Sequence, residues 1–225
     1  KESSAASDVY KRQAIYPSFF LLLRTHLKTQ KMDILDIAEW NQQRAWKVIE
    51  DARIIPIWES IGAEVNLVGS LKTGLLMKHL DIDFHIYTPS FSLSDSFQAM
   101  MKLGENKSIR KIEHVNLLDT PEACLEWHAW YRDARNDLWQ IDMIHILKGS
   151  RYDGFFEKFA ERLIAVLTDE TRKVILKLKN ETPETEKIMG VEYYQAVIRD
   201  GVRSYDEFME WRGQHPVTDI VEWMP

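Results

Sequence analysis

Between residues 36 and 61 the apolar positions Ile37, Trp40, Ala45, Val48, Ile49 and Ala52 return at helical spacing, which predicts an amphipathic helix bent or divided at Pro56 and stopped by Gly62. The period then shortens. Residues 65–69 (VNLVG) and 82–88 (IDFHIYT) are β-rich runs, and the glycine-bearing turn and brief helix between them predict a strand-helix-strand unit. Pro89 and the serines after it make a loop. Ser94 or Asp95 then caps a helix through Met101, which Gly104 ends. Three further runs, IRKIEHVNLL, CLEWHAWYRD and LWQIDMIHIL, read as strands, the last two joined by the turn ARND into a hairpin.

After Gly149 the pattern is helical. Residues 155–167, 169–179, 183–200 and 205–212 all predict helices: Thr182 precedes Pro183 at an expected first turn, Gly201 follows the third helix, and Ser204 with Glu207 spells a capping box. The expected fold class is α+β, with a small mixed β-sheet domain and flanking helices over residues 32–150 and an α-helical C-terminal domain over 151–225. Residues 3–13 (SSAASDVYKRQ) resemble a translated sequencing adapter, so residues 1–31 are expected to be a non-native extension and Met32 the true start. The alternative is a genuine N-terminal arm.

Composition narrows the function classes. With 225 residues, 45% hydrophobic and 28% charged, the chain can bury a substantial core. Its single cysteine excludes an internal disulfide and fits a cytoplasmic setting. No apolar run reaches the roughly 18 residues of a membrane span, so no membrane partner is expected. The net charge of -6 disfavours a long nucleic acid as partner, because a polyanion needs a basic surface.

The candidate chemistry lies in GSLKTGLLMKHLDID, residues 69–83. On a strand, Asp81 and Asp83 project to one side while Ile82 and Phe84 enter the core. Adjacent carboxylates repel unless a cation sits between them, and oxygen ligands beside room for phosphates describe a Mg²⁺ site. Gly69 and Ser70, at a strand end and helix start, offer N–H groups and a hydroxyl to phosphate oxygens. A D-x-D triplet alone arises by chance about once in such a chain, so the conjunction with Gly-Ser carries the signal. The run is not a P-loop, since no Gly-Lys-Ser/Thr follows. His79 and His85 alternate with the aspartates and offer a zinc alternative, although His85 is better read as holding a carboxylate. His128 and His145 read as core or rim residues.

Gly69, Ser70, Gly74, Asp81 and Asp83 together resemble the signature of the nucleotidyltransferase superfamily that includes DNA polymerase β. Leu80 stands where many relatives carry serine. The resemblance implies a third carboxylate on a later strand, placed at Asp142, whose alternative is an edge aspartate facing solvent. It also implies transfer of a nucleoside monophosphate from an NTP to a hydroxyl of a small molecule or protein, with two Mg²⁺ ions held by Asp81, Asp83 and Asp142. In that scheme Asp142 also accepts the acceptor's proton, Ser70 contacts the β- or γ-phosphate, and Lys72 or Lys78 neutralises the triphosphate. Lys177 and Lys179 are further phosphate candidates, and Tyr193 or Tyr194 either stacks on a base or packs. The competing reading is a nucleotide- or partner-binding module of the same fold without turnover.

Overall fold

Helix α1 (Ile34–Ala52) buries Ala38, Asn41, Ala45, Val48, Ile49 and Ala52, a single stripe at intervals of three and four residues. It stops at Arg53, which turns into the left-handed region (φ 56), and α2 (Ile54–Glu59) restarts at once. The division expected at Pro56 thus falls three residues earlier. A proline has no N–H for the carbonyl four residues back and its ring collides there, so the chain breaks upstream and Pro56 sits in the first turn of α2. This computed structural model describes residues 33–217 and 223–225, and the expected N-terminal extension lies outside them.

The five strands β1 (Glu64–Val68), β2 (Asp81–Tyr87), β3 (Ile109–Asn116), β4 (Cys124–Arg132) and β5 (Leu138–Ile146) form one sheet in the order β1-β2-β5-β4-β3. Only β2 and β5 run parallel; the other neighbours are antiparallel, so the sheet is mixed, as expected of this α+β chain. The helix expected between β1 and β2 is the single turn α3 (Gly69–Lys72), followed by a loop. Helix α4 (Leu93–Gly104) starts from Ser92, whose Oγ accepts the Asp95 N–H at 3.2 Å. Ser94 and Asp95 are already inside the helix. Ser92 is the last extended residue, so its side chain, not theirs, can fold back onto the free N–H groups.

One face of the sheet is apolar. Ile82, Phe84, Ile86, Leu125, Trp127, Ala129, Ile141 and Met143 pack against residues of α1, α2 and α4. A second core joins α5 (Phe155–Val166), α6 (Asp169–Glu181), α7 (Gly190–Tyr194) and α8 (Tyr205–Gln214) with Ala38 of α1 and with Leu75 and Met77 of the loop before β2. The helix expected from residue 183 begins only at Gly190 and continues as a π-helix over Gln195–Arg199. Pro183 holds Thr182 extended (ψ 126), and Thr182 ends α6 by donating its N–H to Leu178 O, so the proline closes one helix instead of opening the next. Among the described residues no helix is long and apolar enough to cross a membrane.

Candidate active site

Strand alternation carries Asp81 and Asp83 to the face opposite the buried Ile82 and Phe84. The β2–β5 register sets Asp83 directly beside Asp142 and Asp81 beside Gln140, so all three aspartates share that face at the centre of the sheet. Burial pushes the Asp83 carboxyl well above the usual carboxylate range, and the charges of Asp81 and Asp142 push it further. Burial also raises Asp81, while the Lys179 ammonium works against the rise. Lys179 comes from α6 and is buried, donates to Leu75 O at 2.9 Å, and is itself pulled below its ordinary value by burial, with both aspartates opposing.

The turn after β1 is built around Asp83. Gly69 has φ +66, and a Cβ there would lie 1.9 Å from Asp83 Oδ2, so only glycine fits. The Ser70 N–H donates to Asp83. The Ser70 hydroxyl is buried and has no hydrogen-bond partner among the described residues. Asp142 is held on both oxygens: His128 Nδ1 lies 2.7 Å from Oδ1, and Gln140 Nε2 donates to Oδ1 at 2.9 Å and to Oδ2 at 3.1 Å. Glu126 Oε2 stands 3.5 Å from the other His128 nitrogen. Burial lowers the His128 pKa, but Asp142 and Glu126 more than offset this and leave it raised. With Asp83 turned onto Ser70 and Asp142 onto His128, no three His, Cys, Asp or Glu side chains among the described residues form a ready metal cage.

Of the expected residues, Gly69, Ser70, Asp81, Asp83 and Asp142 come together. Lys72 is exposed on α3. Lys78 donates to Asn180 O at 2.9 Å and to Thr182 O, at the C-terminal end of α6, where its charge meets the helix dipole instead of the aspartates. Lys177 faces Glu181 at 3.8 Å. His79 is exposed, and His85 holds a carboxylate from another element, with Nδ1 at 3.2 Å from Glu157 Oε1. His145 is buried in the sheet, 3.0 Å from Thr88 Oγ1. Tyr193 is buried, stacked on Phe208 and bonded to Thr182 Oγ1 at 2.8 Å. Tyr194 is buried too, and burial followed by the charges of Asp81 and Asp83 raises its pKa.

His128 and Gln140 are the residues that sequence reasoning missed. The hairpin carried the signal: once Arg132 faces Leu138 across the turn, counting back along both strands sets His128 opposite Asp142.

The mixed five-stranded sheet and the helices around it have the fold of solved poly(A)- and poly(U)-adding nucleotidyltransferases. The solved chain of GLD-2 in its complex with RNP-8 superposes with a TM-score of 0.53 at 10% identity, covering 73% of this chain and 58% of that one. Cid1, whose structure is described as a basis for its RNA terminal uridylyl transferase activity, superposes with a TM-score of 0.50 at 15% identity, covering 69% and 46%. This chain therefore spans 58% and 46% of the lengths of those two. No family model matches the chain, and no curated protein matches it.

Proposed function

We propose that this chain is a metal-dependent nucleotidyltransferase that moves a nucleoside monophosphate from an NTP to a hydroxyl of a small molecule or protein and releases pyrophosphate. The observation that carries this reading is the register of Asp83 with Asp142 across parallel strands, with Asp81 on the same face. Burial, with the neighbouring carboxylates, raises the proton affinity of Asp81 and Asp83 there against one buried lysine, and three carboxylates beside one ammonium suit divalent cations. The unpartnered, buried Ser70 hydroxyl suits a phosphate oxygen.

Asp81, Asp83 and Asp142 would hold two Mg²⁺ ions, which supply charge for the triphosphate and for the attacking and departing oxygens. The chain does the rest. Ser70 binds a β- or γ-phosphate oxygen through its hydroxyl, and its N–H becomes available when Asp83 turns away. Lys179 faces the two β2 carboxylates with its ammonium and works against their rise. His128 and Gln140 orient Asp142, which takes the proton of the acceptor hydroxyl as that oxygen bonds to the α-phosphorus and the bond to pyrophosphate breaks. The chain's net charge of -6 favours a small-molecule or protein acceptor over RNA.

The test is incubation with each α-labelled NTP, Mg²⁺ and a cell extract, with RNA added in parallel, comparing the intact chain with Asp81→Asn plus Asp83→Asn. Label passing to one small molecule or protein only with the intact chain is the expected result. No transfer from any NTP would sink the enzyme reading, and transfer to RNA alone would sink the acceptor class.

A further inference from the structure

We infer that two copies of this chain pair through strand β3, joining their sheets edge to edge about a two-fold axis. β3 is the last strand of the sheet, and among the described residues only β4 pairs with it. The Leu117 N–H bonds Cys124 O at 3.0 Å, and Leu117 continues the register in which Asn116 faces Leu125. Odd-numbered residues of β3 therefore turn their backbone groups to β4. Ile112 and His114 present theirs to the edge that β4 leaves open, while a bulge between Ile109 and Lys111 interrupts the alternation at Arg110. An exposed edge is a template for another strand, and the bulge confines that template to the segment around Ile112 and His114.

The side chains select both the occupant and the register. A two-fold antiparallel pair centred on Lys111 sets Lys111 against itself, and one centred on Glu113 sets Glu113 against itself. Like charges directly opposite repel. Centred on Ile112, the pairing sets Lys111 of each copy against Glu113 of the other, twice, and Ile112 against Ile112. A strand with this sequence is thus charge-complementary to a second copy of itself in one central register. The two side chains are exposed, at 53% and 49%, and already touch each other within the chain, so they need only exchange partners.

Helix α4 supplies the apolar part. Leu93, Phe97 and Met101 recur every fourth residue and stand 44%, 46% and 66% exposed. The Phe97 ring lies 5.0 Å from that of His114, and a Cβ on Gly104 would lie 3.7 Å from Ile112 Cδ1, so this helix runs along the β3 edge. A two-fold perpendicular to the sheet keeps both helix layers on one side and brings the two stripes together across the axis. Exposed stripes of this kind mark contact surfaces.

The experiment is sedimentation equilibrium of the full chain, alone and with Lys111→Glu, Glu113→Lys, and both changes together, with circular dichroism to check the fold. The wild type is expected to dimerise, and each single substitution to weaken the dimer about ten-fold or more by replacing two attractive pairs with two repulsive ones. The double variant recovers wild-type association. Mixing the two single variants recovers it too, because each then faces its complement. A wild type that stays monomeric, a dimer indifferent to both single changes, or a double variant as weak as the singles would each overturn the inference. None of these outcomes depends on nucleotidyl transfer.

Discussion

Asp133 and Asp137, at the turn between β4 and β5, share the guanidinium of Arg44, each at 2.5 Å, and Asp133 also accepts from Trp139 Nε1 at 3.0 Å. Asp81 and Asp83 lie on the same sheet but face a single buried ammonium, each other and Asp142. In the first group burial tends to raise Asp133, yet Arg44 and Trp139 outweigh it and its carboxyl sits below the usual range. In the second, burial and repulsion win. The difference teaches what each group can do: a carboxylate that finds its cation inside the fold serves stability, whereas one left in surplus suits the divalent cation proposed above.

The largest effect that could break this comparison comes from Asp81→Asn with Asp83→Asn. Transfer is expected to fall about a thousand-fold or more, while the metal-free protein melts at the same temperature or higher because repulsion has been removed. A lower melting temperature would mean that the two groups do the same job. Next, Arg44→Ala is expected to cost about 3 kcal/mol in urea unfolding, since it strands Asp133, whose side chain is only 12% exposed, without its partner. Per folded molecule, transfer should be unchanged. Ser70→Ala sharpens the contrast on a neutral group. It should slow transfer about ten- to a hundred-fold yet alter stability by no more than about 0.5 kcal/mol, because the hydroxyl it removes has no hydrogen-bond partner among the described residues.

The smallest effect is in the pH dependence of these differences, measured by urea unfolding with chelator present. The Asp133 carboxyl is depressed below 3.8, so the stability it brings is present above that value and fades as pH falls through its folded value. The Arg44→Ala deficit should therefore persist to about pH 4 and shrink only below it. Asp83 is raised above 3.8, so its ionisation costs nothing below that value and increasingly more as pH climbs toward its folded value. The advantage of the double asparagine variant should accordingly shrink on acidification in the window above 3.8, where the other difference is still flat.

Alternation and turn residues made the sheet legible in advance. The β2 run, the β4–β5 hairpin and the Gly-Ser turn fell where local pattern placed them, and counting by twos brought Asp81 and Asp83 to one face. The boundaries that moved did so for steric reasons a few residues away: Pro56 acted a turn upstream, and Pro183 acted on the helix before it. Within the site, what stayed hidden was reach. Lys78, expected on a helix, lies in the loop before β2, where it goes to the carbonyls that end α6, while Lys179 of α6 faces the aspartates; only the packing of α6 on that loop decides which ammonium points where. Whether a histidine such as His128 touches an aspartate is likewise decided by cross-strand register rather than by its own neighbours in sequence.

The loop between α3 and β2 is stitched at almost every step by side chains from distant helices. Gly74 O receives Arg172 and Gln42, Leu75 O receives Lys179, and Met77 O receives Asn41. Cutting the gene after residue 150 would strip two of these anchors and the burial of Leu75 and Met77 with them. The spacing between the serine turn and its aspartates would then be left to a slack tether, so a shortened version made for convenience should fold its strands and still misplace its chemistry.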